Sequence, residues 1–195
     1  MKKSTPESRI LTGIFFGPPI LVALAVFGPW ELHWLPRAEP PYGQRYDSPV
    51  VLPATSLETP TRARLGQDWA RERWSLIFAH LSACDARCWE GLELLRQVRL
   101  ALPRDRELVQ RVYLYGGDIG ALSTYPGSTK ELIMGRIDGP AEAELRAALG
   151  EDDLVDGHFY ISNPLGNLVF SYPLDAERQG ILRDLQRLLT ISRVN

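Results

Sequence analysis

The hydrophobic pattern sets an uncharged N-terminal run apart from a mixed remainder. The run covers the 21 residues from Ile10 to Trp30. At 1.5 Å per residue, a helix of this length crosses a hydrocarbon layer of about 30 Å. The pattern therefore predicts one transmembrane helix over residues 10–30. A cleaved signal peptide and a buried core helix are the alternative interpretations of the same segment.

The charges before this run predict its orientation. Lys2, Lys3 and Arg9 precede it, and only Glu7 opposes them. Because positive flanks stay on the cytoplasmic side, residues 1–9 are predicted to be a cytoplasmic tail. The rest of the chain then lies outside the cytoplasm.

The next segment has little helical periodicity and many prolines. We interpret residues 31–60 as a Pro-rich, semi-rigid tether, followed by a folded domain over residues 61–195. The prolines on which this depends are Pro36, Pro40, Pro41, Pro49, Pro53 and Pro60.

The domain begins with a strand, a helix and a second strand. Trp74 to Leu81 is almost continuously apolar, as in a strand covered on both faces. Apolar residues then recur at helical spacing until Pro103, and Val109 to Tyr115 forms the second strand candidate. This order predicts a parallel strand pair with a helical crossover. The helical positions are Trp89, Leu92, Leu95, Val98 and Leu102.

The remainder predicts a short helix, a hairpin and a terminal helix. Residues 116–139 indicate an irregular connection, and Pro140 suits the first turn of the short helix. His158–Ser162 and Leu168–Tyr172 flank turn residues and predict a hairpin. The last helix is expected to begin near Asp175. The element order predicts an α/β fold of the thioredoxin-like sandwich type, preceded by one transmembrane helix.

Composition and charge narrow the function classes. The 195 residues are 45% hydrophobic, and 22 Lys and Arg face 24 Asp and Glu. These values are ordinary for a globular chain. The arginines are scattered along the sequence, so it lacks the basic footprint typical of nucleic-acid binding, and no nucleic-acid partner is expected.

The chain has two cysteines, Cys84 and Cys88, at the junction of the apolar strand and the helix. Two cysteines placed at random would show this separation about once in a hundred trials. If Asp85 caps the helix, its carboxylate meets the backbone amide of Cys88, and Cys84 stands before the first turn. The positive end of the helix and Arg87 then favour a thiolate at Cys84.

This spacing leaves several chemistries open. The two sulfurs are close enough to bond each other or to hold one soft metal ion such as Cu(I). In a redox role, Cys84 would be the exposed attacking thiolate and Cys88 the resolving thiol. A structural disulfide and inert reduced thiols are the alternatives.

Three motifs together resemble the Sco proteins. They are Trp74-Ser75-Leu76-Ile77-Phe78, the Cys84-x3-Cys88 pair at the start of a helix, and His158 with the sequence that follows it up to Asn167. Sco proteins are membrane-anchored copper chaperones and thiol reductases with a thioredoxin fold, which help to assemble the copper centre of cytochrome c oxidase. The resemblance extends from about Leu65 to the C-terminus and suggests a divergent proteobacterial subgroup.

The resemblance implies a site and a cellular context. Its metal ligands would be Cys84, Cys88 and His158, with Cu(I) as the ion, and its redox residues Cys84 and Cys88. The domain would be periplasmic, anchored in the inner membrane through residues 10–30, and its partners an oxidase subunit or assembly factors. Two departures are that Asp85 and Trp89 replace the prolines usual after each cysteine, and that Gly157 separates Asp156 from His158.

Alternatives remain for the histidines and for the whole protein. His158 is either a copper ligand or an ordinary residue of the hairpin. His80 lies in the apolar strand and is interpreted as a core histidine, with a second ligand or proton acceptor as the alternative. At the level of function, the alternative is a non-catalytic, membrane-anchored assembly factor with a structural disulfide.

Overall fold

The structure is a computed structural model that describes residues 16–23, 40–53, 57–66, 68–124, 129–149 and 156–192. The chain divides into two compact units, Met1–Pro40 and Pro41–Asn195. In the first unit, residues 16–23 form helix α1. None of the helices in the described residues is both long and apolar enough to span a bilayer. The rest of the predicted span over residues 10–30 lies outside the described residues.

The second unit contains one mixed sheet of six strands in the order β1-β6-β5-β2-β3-β4. The strands are β1 Gln44–Val51, β2 Trp74–His80, β3 Val109–Tyr115, β4 Leu132–Arg136, β5 His158–Ser162 and β6 Asn167–Tyr172. The helices are α2 Ala86–Leu100, α3 Gly139–Leu149 and α4 Arg178–Ser192. Short 3-10 helices cover Arg106–Leu108 and Gly120–Thr124.

The predicted centre of the fold is confirmed. β2 is buried along its whole length and pairs in parallel with β3, and α2 forms the crossover. β5 and β6 form the predicted antiparallel hairpin, and β5 also pairs with β2. Pro140 lies in the first turn of α3, where its missing N–H costs no helical hydrogen bond.

Helices cover both faces of this sheet. One hydrophobic cluster lies between the sheet and helices α2 and α4, and a second contains α3 and parts of residues 52–70. Side chains alternate along each strand, so Phe78 belongs to the first cluster and Ile77 and Ala79 to the second. We call these the α2 face and the α3 face.

Two strands lie where the sequence predicted none. β4 forms within the predicted irregular connection and pairs in parallel with β3. Its side chains are mostly only partly buried and it contains Gly135, so its hydrophobic pattern is weak. β1 lies within the predicted tether, as an edge strand on β6 whose register breaks between Arg45 and Val50. Pro49 falls within this break. Proline has no N–H to donate to a neighbouring strand, so it is tolerated at the edges and irregularities of a sheet.

A buried carboxylate holds the start of the domain. Asp184 of α4 is 1% exposed and accepts hydrogen bonds from the backbone N–H groups of Tyr42 and Gly43 at 3.1 and 2.8 Å. The hydroxyl of Tyr172 donates a third at 3.2 Å. The compact unit therefore begins near residue 41.

The last helix begins slightly later than predicted. α4 begins at Arg178 rather than near Asp175, because residues 173–176 form a turn first.

Candidate redox site

Cys84 and Cys88 form a disulfide at the point where the chain leaves β2 and enters α2. The sulfurs are 2.08 Å apart and the Cα atoms 5.1 Å apart. Because β2 is central and α2 packs on it, the fold brings this pair to the C-terminal end of the central strand. Of the open chemistries, the structure contains the sulfurs bonded to each other.

Asp85 is the N-cap of α2, as the sequence predicted. Its carboxylate accepts hydrogen bonds from the backbone N–H groups of Arg87 at 3.0 Å and Cys88 at 3.1 Å. The hydrogen bond from Cys88 is the largest reason why the pKa of Asp85 lies below its usual value. The negative charge therefore stays at the helix start over the physiological pH range.

The cysteines are less accessible than predicted. Cys84 is 7% exposed and Cys88 is fully buried, so the expectation of an exposed Cys84 is corrected for the oxidised state. The physical reason is that Cys84 belongs to the core cluster of the α2 face. Its neighbours Ser82, Ala83 and Asp85 are exposed, so the residual exposure of Cys84 opens on a surface turn.

The turn before Cys84 is held from two sides. The backbone N–H of Cys84 donates to the carbonyl of Asp118 at 2.8 Å. On the other side, the carboxylate of Asp156 accepts from the backbone N–H of Leu81 at 2.7 Å and from the Ser82 hydroxyl at 2.5 Å. The missing side chain of Gly117 matters here, because a Cβ would lie 2.4 Å from the Ser82 backbone. The turn that presents the disulfide is thus fixed by distant residues.

A buried histidine lies behind this turn. His80 is on the α2 face, with its Nδ1 atom 2.9 Å from Asp156 Oδ1 and its Nε2 atom 3.7 Å from Asp85 Oδ1. The Nδ1 contact is electrostatic rather than a hydrogen bond, and Nε2 lies 3.4 Å from the carbonyl oxygen of Ala83. Burial raises the pKa of Asp156, but the hydrogen bonds from Ser82 and Leu81 and the charge of His80 outweigh it and lower the pKa overall. His80 therefore connects the two carboxylates that flank the cysteine turn.

Cys88 has a polar neighbour that sequence reasoning missed. The Tyr113 hydroxyl of β3 lies 3.2 Å from the Cys88 sulfur, and both residues are fully buried. Burial, followed by the charge of Asp156, raises the pKa of Tyr113, so the hydroxyl keeps its proton. In the reduced protein this hydroxyl can donate a hydrogen bond to a Cys88 thiolate. The sequence signal was only the alternation of β3, which also places Tyr115 on this face.

His158 does not join the cysteines. It pairs with Ala79 across the β5–β2 ladder and shares its side of β5 with Tyr160, which belongs to the α3 face. Phe159, next along the strand, belongs to the α2 face with the cysteines. The ligand set of Cys84, Cys88 and His158 is therefore divided between two sides of the sheet.

Two further observations bear on a copper ion. In the described part of the chain, no group of three or more His, Cys, Asp or Glu residues is arranged to hold a metal ion. The histidine on the cysteine side is His80, whose two ring nitrogens face Asp156, Asp85 and Ala83. The arrangement in this oxidised structure thus fits dithiol chemistry and does not fit a three-ligand Cu(I) site.

Comparison with solved structures places this site in a known fold. The chain is similar to apo Sco1 from Thermus thermophilus, with a TM-score of 0.55 and 19% identity over 76% of this chain and 97% of that one. It is also similar to a SCO1/SenC family lipoprotein from Bacillus anthracis, with a TM-score of 0.54 and 13% identity over 73% and 98%.

A third similar structure is BsSco, a member of the Sco family of cytochrome c oxidase assembly proteins in which a disulfide switch has been identified. The TM-score is 0.53 and the identity 13%, over 73% of this chain and 96% of that one. The resemblance to Sco proteins is thus confirmed at the level of the fold.

No curated protein matches the chain in sequence. Residues 74–192 match the family described as transmembrane-like, thioredoxin-like, C-terminal domain. This range covers β2 to α4 and includes both cysteines, His80 and Tyr113. The chain therefore belongs to this family of thioredoxin-like domains.

Proposed function

We propose that the protein performs thiol-disulfide exchange through Cys84 and Cys88, on the outer side of a bacterial inner membrane, during assembly of a respiratory oxidase. The observation that carries the exchange is the disulfide between these residues at the start of α2 in a thioredoxin-like domain. The disulfide switch of the similar BsSco supports the same chemistry. The oxidase and the membrane enter through the Sco resemblance and the apolar run over residues 10–30.

The exchange divides the roles between the two sulfurs. In the reduced protein, the Cys84 thiolate attacks a partner disulfide, forms a mixed disulfide and releases one partner thiolate. The Cys88 thiolate then attacks the Cys84 sulfur, closes the Cys84–Cys88 disulfide and releases the second partner thiolate. Two electrons pass from the dithiol to the partner, and two protons follow them. Cys84 takes the attacking role because it retains exposure and Cys88 has none.

Trapping of mixed disulfides tests this order of attack. In the full-length Cys88→Ser variant, Cys84 attacks but nothing resolves the product, so a covalent complex with a partner should accumulate. The matched Cys84→Ser variant should trap none. Equal trapping by both variants, or trapping by Cys84→Ser alone, would contradict the assigned roles.

A non-catalytic assembly factor is the second candidate, and the burial of both cysteines favours it. Titration of the full-length protein against glutathione separates the candidates. A reduction potential well below about −300 mV is typical of a structural disulfide, and a potential above it supports exchange.

Cu(I) handling remains a prediction from the resemblance, with the ion as cargo of the two thiolates. It has weaker support, because His158 lies on the other side of the sheet. Loading the reduced protein with Cu(I) without oxygen tests it. Equal copper retention by wild type and Cys84→Ser would end this possibility, and unchanged retention by His158→Ala would remove only the third ligand.

The cellular context needs separate tests. Two kinds of reporter can be fused after residue 40. If residues 10–30 orient the chain as proposed, a reporter that works only outside the cytoplasm should be active, and one that works only inside it should be inactive. A deletion strain should lose respiratory oxidase activity. Recovery of that activity with added copper would favour copper handling, and recovery with added reductant would favour exchange.

A further inference from the structure

A cleft at the far end of α2 gathers positive charge from four segments of the chain. It has a volume of about 280 Å³ and lies between the last turns of α2, the 3-10 helix Arg106–Leu108, β3 and the residues before β4. Its lining consists of Arg96, Arg99, Leu100, Arg106, Arg111, Lys130 and Glu131. The lining thus contains five cations and one carboxylate, and one of the cations, Arg96, is paired with Glu93 on the same helix. We call it the arginine cleft.

Two of these cations are built into the protein interior. Arg99 and Arg111 are each 5% exposed, unlike most arginines, which remain at the surface. Arg99 Nε donates to the carbonyl of Val109 at 2.8 Å and, more weakly, to that of Arg106 at 3.3 Å. Arg111 donates through a terminal nitrogen to the carbonyl of Lys130 at 2.5 Å. These contacts hold both guanidinium groups in fixed positions along the cleft.

The exposed cations of the cleft, Arg106 and Lys130, face the same carboxylate as the buried Arg99. Glu131 pairs with Arg99 at 2.6 Å. That hydrogen bond and the charge of Arg99 lower the pKa of Glu131 most, and the charges of Arg106 and Lys130 lower it further. The positive groups of separate segments therefore converge on one carboxylate. An anion entering beside Glu131 would meet the same field.

We propose that the arginine cleft binds a phosphate group, either free or carried by a lipid headgroup. Planar guanidinium groups bind phosphate and carboxylate oxygens in pairs, and such charge-assisted hydrogen bonds are among the strongest in proteins. Free phosphate carries more than one negative charge at neutral pH, and the phosphodiester of a lipid headgroup carries one charge shared by two oxygens, so both suit a site with several guanidinium donors. The volume, at the small end of ligand pockets, suits a small anionic group.

The arginine cleft is separate from the disulfide. Cys88 and Arg99 are eleven positions apart on α2, which corresponds to about 16 Å along the helix axis. Phosphate binding is therefore independent of the proposed exchange. Failure of one proposal leaves the other standing.

Calorimetric titration of the full-length protein in neutral detergent tests the proposal, with ionic strength held constant by chloride. One probe is inorganic phosphate, and the other is glycerophosphoglycerol, the soluble headgroup of an anionic lipid. Binding of either probe at millimolar concentration supports the cleft as a phosphate site. Tighter binding of glycerophosphoglycerol points to the lipid and tighter binding of inorganic phosphate to the free ion. Binding of neither probe, or of acetate as tightly as phosphate, would overturn the proposal.

Two variants should move the affinity in opposite directions. The double substitution Arg106→Gln and Lys130→Gln removes two exposed cations and should weaken phosphate binding at least about tenfold. Glu131→Gln removes the competing charge and should strengthen binding several-fold. Because these three side chains are exposed, the fold should survive each change.

A matched control carries the same loss of charge elsewhere. Arg45→Gln combined with Arg87→Gln alters two exposed arginines far from the cleft, on β1 and in the first turn of α2, and its affinity should stay within about twofold of wild type. An equal loss in this control would show that only the net charge matters and would overturn the site. An unchanged affinity in Glu131→Gln would overturn it as well.

Discussion

The two ends of helix α2 carry different kinds of site. At its N-terminus the disulfide, the cap and the first turn come from five consecutive residues, Cys84 to Cys88. At its C-terminus the arginine cleft draws on residues between Arg96 and Glu131, spread over four segments. A site made by adjacent residues can be found in a sequence, whereas one made by distant residues depends on the crossover that brings them together.

The largest effect is expected from Cys84→Ser. Exchange should fall to the background rate, because the remaining sulfur, that of Cys88, is fully buried and cannot attack a partner disulfide. Loss of so short a disulfide loop should cost only about 2 kcal/mol of stability in the chain-entropy model. Phosphate binding at the other end of α2 should stay unchanged when measured in parallel. Residual exchange above background would show that Cys84 is not the attacking thiol, and a change in phosphate binding would show that the two ends of α2 are not independent.

The second effect concerns the buried arginine of the cleft. Arg99→Met leaves the carbonyl of Val109 without its donor and breaks the contact with Glu131. We expect the free energy of unfolding, measured with urea, to fall by about 2–3 kcal/mol. This is less than for breaking a fully buried ion pair, because Glu131 is half exposed. Arg104→Met, an exposed neighbour, serves as control and should cost little. The reduction potential of the disulfide should not change in either variant.

The third effect concerns the tyrosine behind Cys88. Tyr113→Phe removes the hydroxyl that lies 3.2 Å from the Cys88 sulfur. This hydroxyl contacts a neutral disulfide sulfur here, and it should bond a Cys88 thiolate more strongly because charged acceptors form stronger hydrogen bonds. Loss of the donor therefore destabilises the reduced state more than the oxidised state, and the reduction potential should fall by about 20 mV, equivalent to a net ~1 kcal/mol. Tyr115→Phe is the matched control, because this tyrosine is also buried on the α2 face. A rise in potential for Tyr113→Phe would refute the proposed hydrogen bond.

The smallest effect concerns the pH dependence of the cysteine turn. Asp156 has a lowered pKa in the folded protein, so its contribution to stability is present above its unfolded value, near 3.9. That contribution is lost as the pH falls through the lower folded pKa. Urea unfolding at a series of pH values should show wild type more stable than Asp156→Asn at pH 6, with the difference shrinking below about pH 4. A difference that grows in acid would have the wrong sign.

The sequence predicted the centre of the fold well. β2 and β3 are runs of mostly buried residues because helices cover both faces of the sheet, and the buried residues of α2 recur at helical spacing. The hairpin of β5 and β6 has clear turn residues. β1 and β4 were missed because they are the edge strands and bury little apolar surface. In addition, β1 contains Pro49 and β4 contains Gly135, which are both unusual in strands. Their pairing partners, rather than their own residues, decide that they are strands.

The candidate site was predicted in part. Asp85 and the cysteine pair could be found because capping and disulfide formation act over a few residues. His158 was chosen for its resemblance to a motif, but the side that it occupies depends on the register of β5 against β2. For Tyr113 the alternation of β3 indicates only the face of the sheet, and for Asp156 no local pattern indicates a role, because both roles depend on contacts with residues far away in the chain.

The sequence by itself determined that two thiols stand at the capped start of a helix that follows a buried strand. A local hydrogen bond from the helix cap and an unbroken apolar run suffice for that. Only the tertiary structure decided that His80 and Tyr113 lie on the side of the cysteines, that His158 lies on the other, and that scattered arginines meet in one cleft. The reason is that strand register and helix crossover set distances between residues far apart in the chain, and charge and hydrogen bonding act through those distances.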